Sequence, residues 1–156
     1  MLLFHVSDTV IDKPELEFTR AYTDLGKGFY LSLSCEDALK SFFKFKAQGK
    51  NSFIKSFHFD EDNLNQLNVL KFDDYSENWL DFIQNCRSGL DTSNYDLVIG
   101  GVANDKVFNT VELFFDGLID KAEAIKRLRF EKPNIQLCFR TQLALSFLTF
   151  IKATKL

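Results

Sequence analysis

Cysteine, proline, histidine and tryptophan are all scarce in this 156-residue sequence, which has three, two, two and one of them respectively. The cysteines, Cys35, Cys86 and Cys138, are widely separated and show neither C-x-x-C spacing nor a Cys/His cluster. We therefore expect free thiols, no metal site and a reducing, cytoplasmic location. The amino-terminal apolar run is four residues long and has no basic leader, so we expect no signal peptide and no membrane association.

Phenylalanine is abundant, with 18 residues, and predicts a core rich in aromatic side chains. Hydrophobic residues make up 46% and charged residues 26% of the chain, as in ordinary globular proteins. The net charge of -3 argues against general adhesion to nucleic acid or anionic membranes. The length and the absence of a linker predict one domain spanning residues 1–156.

Strand-like and helix-like hydrophobic patterns alternate along the chain, which predicts an α+β fold. Ser34 is expected to cap the first helix, and Gly100 and Gly101 are expected to end the fourth strand. The final apolar segment, 142–154, is expected to be a helix. The predicted strands are 2–7, 29–34, 52–60, 95–104 and 135–141, and the predicted helices are 35–49, 77–89, 105–117, 120–130 and 142–154.

Two short motifs stand on consecutive predicted strands, "FHVS" at 4–7 and "GKGFYLS" at 26–32. They resemble the His–Tyr branch of the ADP-ribosyltransferase superfamily, which includes the poly(ADP-ribose) polymerases. With "YDLVIGGVAND" at 95–105 and "NIQLCFRTQLAL" at 134–145, they resemble the bacterial family called domain of unknown function 3990. That family is grouped with the ADP-ribosyltransferases and is often taken to be a toxin-like module.

The resemblance implies mixed or antiparallel sheets around an NAD cleft with flanking helices, and NAD as the substrate. His5 would hydrogen-bond the adenine-side ribose and Tyr30 would pack on nicotinamide, so we expect the two side by side in one cleft. Gly26 and Gly28 would allow close approach of the backbone at the cleft edge. The cofactor-binding residues implied in this way are His5, Val6, Ser7, Gly28, Phe29, Tyr30 and Phe43.

The third catalytic residue implied by the resemblance is Gln136, with His5 and Tyr30 as the other two. Relatives carry a glutamate on this late strand, where it orients the nicotinamide-side ribose. Alternation in "NIQLCFRT" predicts that Gln136, Cys138 and Arg140 face away from the helical core. Val6 replaces a glycine of the polymerase pattern, Ala38 and Ser41 replace a serine and a stacking tyrosine, and Phe42 or Phe43 is expected to supply that stack.

Two classes of function stay open at this point. The first is an NAD-dependent mono-ADP-ribosyltransferase with an unknown macromolecular acceptor, acting as a toxin held by an antitoxin protein. The second is a catalytically silent module of the same fold that binds nucleotides or a protein. Glu112 and Asp105 are alternative acids outside the motifs. Each motif residue also has a structural interpretation: His5 and Tyr30 as core side chains, Gln136 as a partner for loop backbone. No GxSxG elbow or phosphate-binding loop occurs.

Overall fold

Seven strands form one mixed sheet in the computed structural model, which describes all of residues 1–156. The strand order is β4-β5-β6-β2-β1-β3-β7, and every neighbouring pair is antiparallel except β4 and β5. The predicted α+β class is confirmed. The strands are β1 Leu2–Ser7, β2 Phe29–Ser32, β3 Phe53–Phe59, β4 Val69–Lys71, β5 Leu97–Val102, β6 Asn134–Phe139 and β7 Leu148–Lys155, and the helices are α1 Cys35–Ala47, α2 Glu77–Arg87, α3 Asp105–Phe115, α4 Lys121–Leu128 and α5 Gln142–Ser146. None of these helices is both long enough and apolar enough to span a membrane.

Side chains alternate along β6 between two separate apolar clusters, one on each face of the sheet. Leu137 and Phe139 join the cluster that includes Phe57, whereas Cys138 joins the cluster around Trp79. Burial of each such large side chain contributes roughly 1.5–3 kcal/mol. The predicted alternation is therefore correct, but Cys138 lies in a second core and not in a cleft or in solvent.

Helix α1 begins as the sequence predicts. The hydroxyl of Ser34 accepts a hydrogen bond of 3.0 Å from the backbone N–H of Asp37, which satisfies one of the free amides of the first turn. The helix buries Ala38, half-buries Phe42 and Phe45, and packs on β1 and β2. It therefore forms one side of the region where these two strands separate.

Two predictions about where elements end are wrong. Gly100 and Gly101 lie inside β5 and do not end it. Glycine is needed at position 101 because a Cβ there would meet the ring of Tyr75 at 2.4 Å. The last predicted helix stops at Ser146, and Leu148–Lys155 forms β7 along the edge of β3. The β-branched residues Thr149 and Ile151 suit that strand.

Candidate functional site

A cavity of about 1140 Å³ opens where β1 and β2 diverge. The two strands pair only through Phe4 and Ser32, and beyond that pair the loop 8–28 and the end of α1 form much of the wall. All of the site residues expected from the sequence line this cavity except Phe43: His5, Val6, Ser7, Gly28, Phe29, Tyr30 and Gln136. The structure thus brings together residues from three adjacent strands, β1, β2 and β6.

His5 is held by the backbone of the neighbouring strand. Its Nδ1 lies 2.8 Å from the carbonyl oxygen of Tyr30, and its ring lies 4.6 Å from the ring of Phe29, centroid to centroid. Because a carbonyl only accepts, Nδ1 carries the proton and Nε2 is left as an acceptor. Burial lowers the pKa of His5 to about 4, and the positive charge of Lys55 acts in the same direction. At neutral pH, His5 therefore offers an uncharged acceptor to the cavity.

The depressed pKa of His5 predicts an acid-sensitive component of stability. Between pH 6.5 and 4 the unfolded chain binds a proton at His5 that the native protein excludes, so the free energy of unfolding falls as the pH falls through this window. The expected loss is up to about 3 kcal/mol. Urea unfolding at pH 7 and pH 4 measures it, with His5→Asn as the control, since asparagine can donate to the Tyr30 carbonyl without titrating. Equal losses in both proteins would contradict the assignment.

Tyr30 is fixed through its hydroxyl. The oxygen accepts from the backbone N–H of Leu25 at 2.9 Å and lies 2.8 Å from the carbonyl oxygen of Gly26 and 3.0 Å from the hydroxyl of Thr23. Burial raises the pKa of Tyr30 far above its usual value, so the phenol stays protonated at ordinary pH. The hydroxyl is thus used to hold the loop 23–26, and the ring is the part of Tyr30 left to meet a ligand.

The rings of His5 and Tyr30 do not lie side by side, contrary to the expectation from the motifs. His5 packs on Phe29, which belongs to one core cluster, whereas Tyr30 packs against the cluster of Trp79 on the other face of the sheet. Consecutive residues of a strand point to opposite faces, and Phe29 and Tyr30 follow this rule. Both side chains line one cavity because the cavity lies at the gap between the strands.

Gln136 lies beside the second motif on the neighbouring strand. Its Cα pairs with Ser32 of β2 on one side and with Gly100 of β5 on the other. Since paired residues share a face, Gln136 points to the same side of the sheet as Tyr30, two residues from Ser32. Its side chain is half-buried and lines the cavity.

The two glycines of the second motif have a packing role that the sequence did not indicate. A Cβ at Gly28 would lie 2.6 Å from the sulfur of Cys138 and 2.6 Å from the backbone oxygen of Phe139, and Gly26, at φ +91°, lies against Arg140. Both glycines therefore let the chain pack tightly on β6 and the residue that follows it. Tight packing against the sheet is thus one reason for glycine at both positions, and close approach of a ligand at the cavity edge stays a prediction.

Phe43 lies outside the cavity, contrary to expectation. It is 68% exposed and rests against Phe42, whereas Phe45 of the same helix lines the cavity. Residues two apart on a helix differ by about 200° in direction, so Phe43 and Phe45 cannot serve the same face. Phe45 is thus the aromatic residue that α1 presents to the site.

An ionic network at the cavity wall could not be found from the sequence. Asp24 accepts from Nε of Arg87 at 2.6 Å and from the backbone N–H of Ala103 at 2.7 Å, and Arg87 also donates to Glu112 at 2.9 Å. Asp24 and Arg87 are 14% and 18% exposed and line the cavity. Glu112, considered as an alternative acid, is thus a partner of Arg87. No local pattern links residues 63 positions apart.

The fold and the site define an α+β protein with one mixed sheet and a ligand-sized cavity between two diverging central strands. The chain belongs to the family described as Protein of unknown function (DUF3990), whose model matches residues 1–150. The family expected from the four motifs is confirmed, and its relation to the ADP-ribosyltransferases stays a prediction. No curated protein and no solved structure matches the chain.

Proposed function

We propose that this protein binds NAD in the cavity and transfers ADP-ribose to a macromolecular acceptor as a mono-ADP-ribosyltransferase. The observation that carries this proposal is the convergence of His5, Tyr30 and Gln136, from three adjacent strands, on one cavity. A volume of about 1140 Å³ exceeds what a drug-sized ligand needs and suits a dinucleotide. Action as a toxin restrained by an antitoxin protein belongs to the same proposal.

Each residue has a role that its geometry supports. Nε2 of His5 accepts a hydrogen bond from a hydroxyl of the adenine-side ribose, because Nδ1 is already bound to the Tyr30 carbonyl. The ring of Tyr30 packs on nicotinamide, and the amide oxygen of Gln136 binds the nicotinamide-side ribose. In the reaction the electron pair of the glycosidic bond leaves with nicotinamide, and an oxygen or nitrogen of the acceptor bonds to the ribose carbon and loses its proton.

A catalytically silent NAD-binding module is the second candidate, and one observation favours it. Gln136 is neutral, so it stabilises the oxocarbenium-like transition state less than a carboxylate does, by roughly 1–3 kcal/mol. The best-buried carboxylate at the cavity wall, Asp24, already pairs with Arg87. NAD held by His5 and Tyr30 without turnover would fit this charge arrangement.

One experiment separates these candidates. The protein is titrated with NAD by calorimetry, then incubated with NAD and a bacterial lysate, and free nicotinamide and the intact masses of lysate proteins are measured. Binding with nicotinamide release and a mass adduct supports the transferase. Binding without release supports the silent module, and absence of binding contradicts both.

Replacing Tyr30 tests the nicotinamide contact. Tyr30→Ala is expected to lower NAD affinity by about 1–2 kcal/mol, roughly tenfold, because a stacked ring is lost. Tyr30→Phe is the matched control, since it loses the hydroxyl and its hold on the loop 23–26 but keeps the ring. Calorimetry should show nearly full affinity for the phenylalanine variant. If both variants lose affinity equally, the hydroxyl and the loop matter and the stacking role is wrong.

A further inference from the structure

Lys55 is a fully buried lysine on β3, the strand next to one edge of the sheet. It stands on β3 directly opposite His5 of β1 and Ala153 of β7, and its side chain is inaccessible to solvent. Its Nζ donates to the hydroxyl of Ser7 and, at 2.9 Å, to the carbonyl oxygen of Thr9. Both of these residues line the cavity. Lys55 is therefore a positive charge placed immediately behind the cavity wall.

This charge has no carboxylate partner. The two groups that Lys55 contacts are neutral. Asp8 is the acid whose charge acts on the pKa of Lys55, but its carboxylate pairs with the exposed Lys50 at 3.4 Å. Burial lowers the pKa of Lys55 to about 8, so the ammonium still predominates at pH 7. A buried, uncompensated cation destabilises a fold, and methionine or leucine would pack there at lower cost. The missing counter-charge points to a negative ligand.

We propose that Lys55 supplies the counter-charge for a phosphate bound against Ser7 and Thr9, so that this end of the cavity receives the pyrophosphate of a dinucleotide. The identification of the ligand as a dinucleotide rests on the proposed function, whereas the expectation of an anion follows from the buried charge of Lys55. Lys55 acts through Ser7 and is a positioning residue. The Ser7 hydroxyl now accepts from Lys55 and donates to Thr9 at 3.0 Å, and it can turn to donate to a phosphate oxygen instead.

Binding of an anion here should be linked to the protonation of Lys55. A phosphate in the cavity against Ser7 favours the ammonium form of Lys55, so affinity for the phosphate should fall as the pH rises through about 8. The other charged or titratable groups on the elements around Lys55 are His5, His58, Asp8, Lys50, Lys152 and Lys155. His5, with a pKa of about 4, stays neutral throughout that range.

The test is a calorimetric titration with ADP-ribose, whose pyrophosphate keeps its charge between pH 7 and 9, and with adenosine as the uncharged probe. Lys55→Met is expected to weaken ADP-ribose binding by at least about tenfold and Lys55→Arg to restore most of it, with adenosine unaffected. Lys152→Met is the matched control, because it removes the same charge from an exposed position on the adjacent strand. Circular dichroism checks that each variant is folded.

The wild-type protein provides a second readout that needs no variant. Its affinity for ADP-ribose should fall about fivefold or more between pH 7 and pH 9, and Lys55→Met should lose this dependence. Unchanged affinity in Lys55→Met, an equal loss in Lys152→Met, a flat pH profile of the wild type, or no ADP-ribose binding at all would overturn the proposal. Binding that depends on Lys55 without NAD cleavage would keep it and contradict the transferase.

Discussion

Gln136→Ala is expected to lower the rate of NAD cleavage by at least about a hundredfold while NAD affinity changes only a few-fold. The amide oxygen of Gln136 would act where positive charge develops on the ribose, so its contribution is made mainly in the transition state. Under the proposed function, binding of NAD would rest on contacts elsewhere in the cavity, at His5 and Tyr30. A loss in turnover without a matching loss in affinity is the signature of such a group.

Gln136→Glu is the informative companion variant. It keeps the size of the side chain and adds the negative charge that the proposed chemistry favours at this position, so NAD cleavage should be preserved or raised, by about tenfold if one charged hydrogen bond is gained. Gln142→Ala, an exposed glutamine at the start of α5, is the control for the loss of an amide. Nicotinamide release measures all four proteins. Wild-type rates in both Gln136→Ala and Gln136→Glu would remove Gln136 from the mechanism.

Local patterns were sufficient to predict most of the fold and the strands that carry the site. The cap at Ser34 and the strands of His5 and Gln136 depend on residues that are neighbours in sequence. The structure confirms the predicted position of each. The confirmed family rests on the same short segments. These features are local, so sequence alone was enough to find them.

The errors fall where distant parts of the chain decide the structure. The segment 148–155 is apolar enough for a helix, and only the free edge of β3 makes it a strand. Gly101 does not end β5, and a glycine is needed there because the ring of Tyr75 occupies the space of a side chain. The sequence predicts Phe42 or Phe43 as the aromatic residue of the site, whereas the rotation of α1 on β1 turns Phe45 towards the cavity. The sequence gives no sign that Lys55 is buried, because its burial depends on the packing of the sheet.

Asp24→Ala is expected to lower the free energy of unfolding by about 2–4 kcal/mol. The variant leaves the half-buried guanidinium of Arg87 without its better-shielded partner and the backbone N–H of Ala103 without an acceptor. Removing one member of a buried pair is costly because the remaining charge stays desolvated. Asp24 also joins the loop before the second motif to the start of α3, so the cavity wall should loosen with it.

Glu112→Ala is the matched control, since Glu112 pairs with the same Arg87 but is 44% exposed. Solvent screens this second pair, so its loss should cost within about 1 kcal/mol. Urea unfolding at pH 7 measures both variants and the double variant Asp24→Ala/Arg87→Met, which also removes the guanidinium that Asp24 shields. The double variant should recover part of the stability lost in Asp24→Ala, because the only partner left to the guanidinium in Asp24→Ala is the solvent-screened Glu112. An Asp24→Ala cost no larger than that of Glu112→Ala would show that the pair contributes only as a surface ion pair does.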